Sequence, residues 1–180
     1  MKVVSIVGMT GSGKSEVARI FHKSGFAIVR FGDVTDELVK KQGLKLNEKN
    51  ERYARELLRE QYGMAAYAQL NLSRIATALK SSDVCIDGLY SWEEYAFLKR
   101  HYGEDFIVVA VWASPATRYG RLGSRKARKL TPKESTSRDH AEIENLNKGG
   151  PIAMADFTIM NESSLADLKK EVEKVISKLK

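Results

Sequence analysis

The chain has a single cysteine, Cys85, so no internal disulfide can brace it. It lies in the apolar run Val84-Cys85-Ile86 and reads as a small core residue of a protein kept in a reducing compartment. No apolar stretch approaches the ~18 residues that a membrane-crossing helix needs. The N-terminus, Met1-Lys2 followed by a strand pattern, lacks the layout of a secretory leader. The three histidines, His22, His101 and His140, are scattered and lack metal-ligand spacing. Repeats and low-complexity linkers are absent too. The 180 residues therefore read as one cytoplasmic domain, 1–180.

The chain does have a regular alternation of apolar runs and helical patterns. Strands are predicted at Lys2–Val7, Ala27–Phe31, Val84–Ile86, Phe106–Trp112 and Phe157–Met160. Helices are predicted at Lys14–Lys23, from Asp33 to Lys41, and over Glu48–Glu60, Met64–Lys80 and Trp92–Arg100. Others start at Pro115 and span Glu134–Leu146, and the last carries the stripe Leu165, Leu168, Val172, Val175, Ile176 and Leu179. Gly149-Gly150-Pro151 reads as a helix stop. Trp92 and Trp112 read as core or half-buried. Strands separated by helices give an α/β fold: a three-layer α/β/α arrangement around a five-stranded parallel sheet. Ligands of such sheets bind outside the carboxyl ends of the strands.

Outside the first strand lies Gly8-Met9-Thr10-Gly11-Ser12-Gly13-Lys14-Ser15, which fits G-x-x-x-x-G-K-[ST]. This is the phosphate-binding P-loop, and it sits between a buried strand and a helix N-terminus, as its mechanism requires. Glycines let the backbone N–H groups curl around phosphate oxygens, and the helix dipole favours the anion. Lys14 would reach the β- and γ-phosphates, and the Ser15 hydroxyl would bind Mg²⁺. Glu16 opens the helix beyond it.

Two carboxylates follow strands. Asp87 ends the third and either holds Mg²⁺ opposite Ser15 or makes an ordinary Asp-Gly turn. Asp33 follows the second and either orients an attacking hydroxyl or caps the next helix.

The net charge of +7 is concentrated in Arg118, Arg121, Arg125, Lys126, Arg128, Lys129 and Lys133, with no acidic residue among them. On a helix the four arginines would share one face. They could converge on one anion, with Arg121 and Arg125 favoured, or remain a solvated face. Arg138 could close the far side of a lid or merely pair with a neighbour. No recognition helix, zinc-finger spacing or aromatic-rich face accompanies the charge, so nucleic acid is not the expected partner. A nucleotide triphosphate explains it more simply.

Taken together, Gly8 to Ser15, Gly32-Asp33, Asp87-Gly88, Ser114-Pro115 through Arg125, and Ala155-Asp156 through Asn161 resemble a known group. These are the P-loop kinases of the nucleoside monophosphate kinase and dephospho-coenzyme A kinase type, and within them an adenylate-kinase-related group. The resemblance implies a P-loop NTPase fold with an acceptor-binding helical region at about 33–80 and a small arginine-rich lid at about 121–138. It implies Arg121 against adenine or phosphates, Arg125 and Arg138 on the transferring phosphate, and Asn161 with Glu162 near the adenine. Asp33 and the helices from Glu48 to Lys80 would face the acceptor.

Two departures stand out. Thr35-Asp36 and Leu89-Tyr90-Ser91 stand where relatives often place arginines that hold an acceptor's phosphate. Tyrosine and aspartate cannot replace a bidentate guanidinium. Arg52, Arg55 or Arg59 could substitute. The expectation is an ATP- and Mg²⁺-dependent phosphotransferase acting on a small, nucleotide-like acceptor. The alternative is a nucleotide-binding regulatory ATPase working through a protein partner.

Overall fold

Strands buried on both faces must be apolar at successive positions, and that is how the strand segments read. The computed structural model describes residues 1–126 and 129–179. Its five strands are β1 (Val3–Val7), β2 (Ala27–Arg30), β3 (Val84–Asp87), β4 (Phe106–Trp112) and β5 (Phe157–Met160). All pair in parallel, in the order β2-β3-β1-β4-β5.

Alternation divides each strand between two cores. Val3 and Val7 of β1 join Ile86, Val108 and Ala110 on one face. There they meet Leu58 of α3 (Glu48–Tyr62), Tyr67 and Ile75 of α4 (Ala66–Ala78), and Leu98 of α5 (Trp92–Tyr102). Val4 and Ile6 join Cys85, Val109 and Val111 on the other face. That face is covered by Val17, Ile20 and Phe21 of α1 (Lys14–Lys23) and by Leu168, Val172 and Ile176 of α9 (Leu165–Leu179). This is the expected three-layer arrangement. Burial pushes the Cys85 thiol well up, which makes it an inert core group. Among the described residues, no helix is long and apolar enough to cross a membrane.

β1 lies at the centre, with β3 on one side and β4 on the other. The chain turns towards opposite edges on either side of it, so the crevice outside the carboxyl ends opens beside β1. Register sets Ile6, Asp87 and Arg30 in one row across β1, β3 and β2. The remaining helices, α2 (Asp33–Lys41), α6 (Pro115–Gly123), α7 (Pro132–Glu144) and α8 (Gly149–Ala153), complete the chain.

Differences from the sequence-based expectation are local. α7 starts at Pro132 rather than Glu134, because Thr131 and Glu134 form a reciprocal capping box with Pro132 at the first helical position. Gly149-Gly150-Pro151 does not end a helix but builds α8, where Pro151 falls among the first N–H positions that have no helical partner. α6 ends at Gly123, so Arg125 does not share a helix face with Arg118 and Arg121. Arg128 lies outside the described residues. Trp92 and Trp112 are 39% and 41% exposed, more open than expected.

Phe21 has no exposed surface and meets Phe26 edge-to-face, with ring centroids 5.0 Å apart. Phe21→Ala should cost about 3–5 kcal/mol, read by urea denaturation.

Candidate active site

The turn between β1 and α1 is bent tightly against its neighbours. Gly13 has φ 102°, and a Cβ there would collide with the Asn161 amide. Gly8 has φ 151° and lies against the Val111 carbonyl, which leaves no room for a side chain. The Gly13 N-cap offers no side chain to α1. Among the described residues, no protein acceptor reaches the N–H of Gly11, Gly13, Lys14 or Ser15. The Ser12 hydroxyl is buried and also without a partner. Such a cluster of orphan donors at a helix N-terminus is an anion site.

Lys14 folds over this turn. Its Nζ donates to the Gly8 and Met9 carbonyls at 2.8 and 3.1 Å. Burial, reinforced by the charge of Lys148, lowers its ammonium to about 7. Glu142 and Asp87 oppose that shift, and Arg138 adds to it. Ser15 is exposed at the head of α1. Asp87 is half-buried at the end of β3, where burial pushes its carboxyl up while Lys14 and Arg30 hold it down. No group of three or more acidic, histidine or cysteine side chains that could cage a metal occurs among the described residues. Ser15 and Asp87 thus offer one hydroxyl and one carboxylate, a donor set that fits Mg²⁺ sharing its other positions with phosphate oxygens and water.

A cleft of about 340 Å³ adjoins the turn. It is lined by Gly13 and Glu16 on one side, Arg121 and Asn161 on another, and Ser163 and Leu165 on a third. Arg121 reaches it from α6, with Nη2 donating to the Asn161 carbonyl at 2.9 Å while Nη1 is buried without a partner. Asn161 is buried, and its amide donates to the Ser12 carbonyl at 2.8 Å, fastening the end of β5 to the turn. Glu162 turns instead to Ser114 and Thr117.

Arg118 does not join Arg121. It is 5% exposed and pairs with Asp139 of α7 through two bonds of 2.8 and 2.6 Å. It also donates to the carbonyls of Thr10 and Ala113, both at 3.1 Å. It is a structural hub between the turn, β4 and α7. Arg125 is exposed beyond the end of α6. Arg138 lies on α7, with Nε 3.5 Å from Glu142.

At the other end of the crevice, Asp33 is the first residue of α2 and makes no capping bond. Its carboxylate accepts from Arg30 at 2.7 Å and is 46% exposed. Arg30 also bonds Asp36 at 2.9 Å. A second cleft, of about 430 Å³, opens here between Arg30 and Asp33 and the α4 residues Ser73, Arg74 and Thr77. Arg52 pairs with Glu56, and Arg55 with Glu48, along α3 itself. Arg59 alone of the three lies over the Tyr67 ring, 5.3 Å from its centroid, with a buried Nε that has no partner. Tyr67 bonds Thr35 at 2.6 Å and meets Tyr90 edge-to-face. Glu94 accepts from the Tyr90 N–H at 2.8 Å, and burial pushes its carboxyl up to about 8.

Three groups escaped the sequence reading. Arg30 ends an apolar strand and carries no motif. Glu142 and Lys148 lie in a stretch with no motif at all, yet both are buried beside the turn. Glu142 accepts from the Thr10 N–H at 3.3 Å, from the Thr10 hydroxyl, and from Lys148 Nζ at 2.9 Å. Burial alone would raise its carboxyl, but Lys148, Lys14 and Thr10 together pull it down to about 2.

Known proteins resemble this chain over its full length. A family described as an AAA domain matches residues 4–145. UPF0200 protein TK1334 of Thermococcus kodakarensis is 36% identical, with 98% of this chain and 100% of that protein aligned. Among solved structures, TT1252 from Thermus thermophilus superposes with a TM-score of 0.67 at 19% identity, over 99% of this chain and 98% of that one. A dephospho-CoA kinase from Campylobacter jejuni gives 0.56 at 16% identity, over 99% and 97%. A shikimate kinase from Bacteroides thetaiotaomicron gives 0.64 at 12% identity, over 99% and 98%. The fold is thus that of P-loop small-molecule kinases.

Two measurements check this geometry. Arg118→Met removes the guanidinium from buried Asp139, which keeps only the Tyr119 hydroxyl at 2.9 Å, and should cost about 3–5 kcal/mol in chemical denaturation. Glu142 has a folded pKa of about 2 against an ordinary 4.5, so its stabilisation is complete above that ordinary value. It is lost as pH falls towards 2. The acid limb of stability between pH 4.5 and 2 should be shallower in Glu142→Gln than in the unsubstituted protein.

Proposed function

The chain belongs to the AAA domain family and to the UPF0200 proteins, and we propose that it is an ATP- and Mg²⁺-dependent phosphotransferase. It would move the γ-phosphoryl of ATP to a small acceptor in the cytoplasm, in the manner of nucleoside monophosphate kinases and dephospho-coenzyme A kinases. The observation that carries this reading is the set of unpaired N–H groups at Gly11, Gly13, Lys14 and Ser15, with Lys14 folded over them.

Gly8 to Ser15 would wrap the phosphates, and Lys14 would neutralise their oxygens. The Ser15 hydroxyl and Asp87 would hold Mg²⁺, which when bound draws charge from the phosphate oxygens. Glu16, Arg121 and Asn161 line the cleft that suits a nucleobase and ribose. Arg121, Arg125 and Arg138 would form a lid over the transferring group and exclude water, as phosphoryl transfer demands. Asp33, oriented by Arg30, would position the acceptor hydroxyl. The helices from α2 to α4 would enclose that acceptor.

The regulatory-ATPase reading draws its support from the acceptor side. Arg30 is tied to Asp33 and Asp36, and Arg52 and Arg55 are spent on their own helix. Among the arginines that could have replaced a phosphate clamp, only Arg59 keeps an unbonded inward nitrogen.

The test is melting temperature and ADP release with Mg·ATP, across nucleoside monophosphates, nucleosides and dephospho-coenzyme A. ATP stabilisation with ADP release that depends on one acceptor is the expected result. Release independent of every acceptor would favour the regulatory ATPase. Lys14→Ala should lower turnover by about 10²-fold or more while circular dichroism stays unchanged. Lys14 Nζ bonds only to two loop carbonyls, so its loss leaves the fold standing. Undiminished turnover would contradict the phosphate assignment.

A further inference from the structure

Lys148 is 2% exposed, with its ammonium 2.9 Å from Glu142 and 5.8 Å from the centre of the Tyr90 ring. A buried ammonium is costly unless it is fully compensated. Here a local turn forces the burial. Asn147 has φ 50°, the only non-glycine residue in the left-handed region among those described. Its N–H bonds the Ile143 carbonyl at 3.1 Å, and the Lys148 N–H bonds the Glu142 carbonyl at 3.2 Å. This is a left-handed helix cap, which Asn tolerates better than most residues. It folds Lys148 back over the Glu142 side chain. The Trp92 N–H fastens the same turn through the Leu146 carbonyl at 3.3 Å.

Glu142 in turn reaches the phosphate-binding turn. Its four donors are the Thr10 N–H, the Thr10 hydroxyl, Lys148 and Arg138. The Thr10 N–H belongs to the loop that wraps phosphates, so a carboxylate occupies a donor that an anionic ligand would use. The charges acting on Lys14 are the cations Lys148 and Arg138 and the carboxylates Glu142 and Asp87. With Lys14 itself this makes three cations against two anions. Lys14, Lys148 and Arg138 therefore share two carboxylates, and Glu142 alone is bonded to two of these three cations' side chains, Lys148 and Arg138.

We propose that Lys148 is a phosphate ligand of this site and that Glu142 is the internal anion that keeps its place. On this view the terminal phosphates of ATP displace Glu142 from Thr10 and are received by Lys148. The inference rests on the phosphotransferase reading above and adds a residue pair to it. Exchange of one anion for another leaves the buried ammonium compensated throughout. Because Glu142 and Arg138 share α7, the exchange also couples terminal-phosphate binding to the helix that carries a proposed lid arginine.

Calorimetric titration with Mg·ATP and with adenosine tests it. Lys148→Met should weaken Mg·ATP by about tenfold or more, the loss of one charge-assisted bond, and leave adenosine unchanged. Lys148→Arg should restore most of that affinity. Glu142→Gln, which removes the competing charge, should tighten Mg·ATP and leave adenosine unchanged. Amide exchange on the unsubstituted protein makes the test independent of how the variants fold. Mg·ATP should alter exchange in residues 138–148, and adenosine should not. Absence of Mg·ATP binding by the unsubstituted protein would overturn the phosphotransferase reading itself. Intact Mg·ATP binding that Glu142→Gln fails to tighten and Lys148→Met fails to weaken, with unaltered exchange at 138–148, would overturn the Glu142–Lys148 proposal alone.

Discussion

Backbone N–H groups gathered at the turn between β1 and α1 have no partners in the protein's own helices or strands, and the molecule is arranged around that deficit. A helix with an uncapped N-terminus costs stability unless something negative meets it. Here the Gly13 N-cap contributes no side chain, and the Ser12 hydroxyl is buried and unbonded. The Thr10 N–H is met by the carboxylate of Glu142 and the Ser12 N–H by the Met9 carbonyl, while those of Gly11, Gly13, Lys14 and Ser15 are not met. On the proposed function, a chain that keeps such a turn forgoes stability in exchange for a place to bind phosphate.

Holding the turn open requires a frame. Arg118 supplies one side by bonding the Thr10 carbonyl, the end of β4 and Asp139 of α7. Asn161 supplies another from the end of β5, through the Ser12 carbonyl. β1, β4 and β5 are neighbours in the sheet, so the strand order brings these clamps to one crevice. Charge then accumulates on the same side, with Lys14, Lys148 and Arg138 around Glu142 and Asp87. The opposite end of the crevice is built differently. Arg30, Asp33 and Asp36 form an exposed ion-pair cluster, and Tyr67, Tyr90 and Thr35 form a buried aromatic and hydroxyl floor. The end beside the turn sets three cations against two carboxylates, and the opposite end sets one arginine against two aspartates.

The sheet and the turn were legible in the sequence because both rest on local signals. A strand buried on two faces needs an unbroken apolar run, and β4 begins and ends where that run does; the edge strand β5 buries only Ile159 fully. The glycines at 8, 11 and 13 mark backbone that other residues cannot adopt in so little space. The fate of single charged residues was not legible. Arg118 and Arg121 lie on one helix, yet one is a buried hub and the other lines a cleft, a choice made by Asp139 on the neighbouring helix α7. Arg30, Glu142 and Lys148 were missed because no spacing rule announces them. Their roles arise from strand register and from one left-handed residue, Asn147. The sequence at Asp33 fits a helix cap and an acceptor-facing group alike; in the structure it makes no capping bond and pairs with Arg30.

The most direct measurement of the central claim is a Mg·ATP titration of isotope-labelled protein followed through its backbone amide resonances. A phosphate-binding turn should show its largest shifts at Gly11, Gly13, Lys14 and Ser15, with smaller changes at Arg121 and Asn161 beside the adjoining cleft. Shifts confined to another surface, or none at these amides under saturating Mg·ATP, would contradict the assignment of this turn as the nucleotide site.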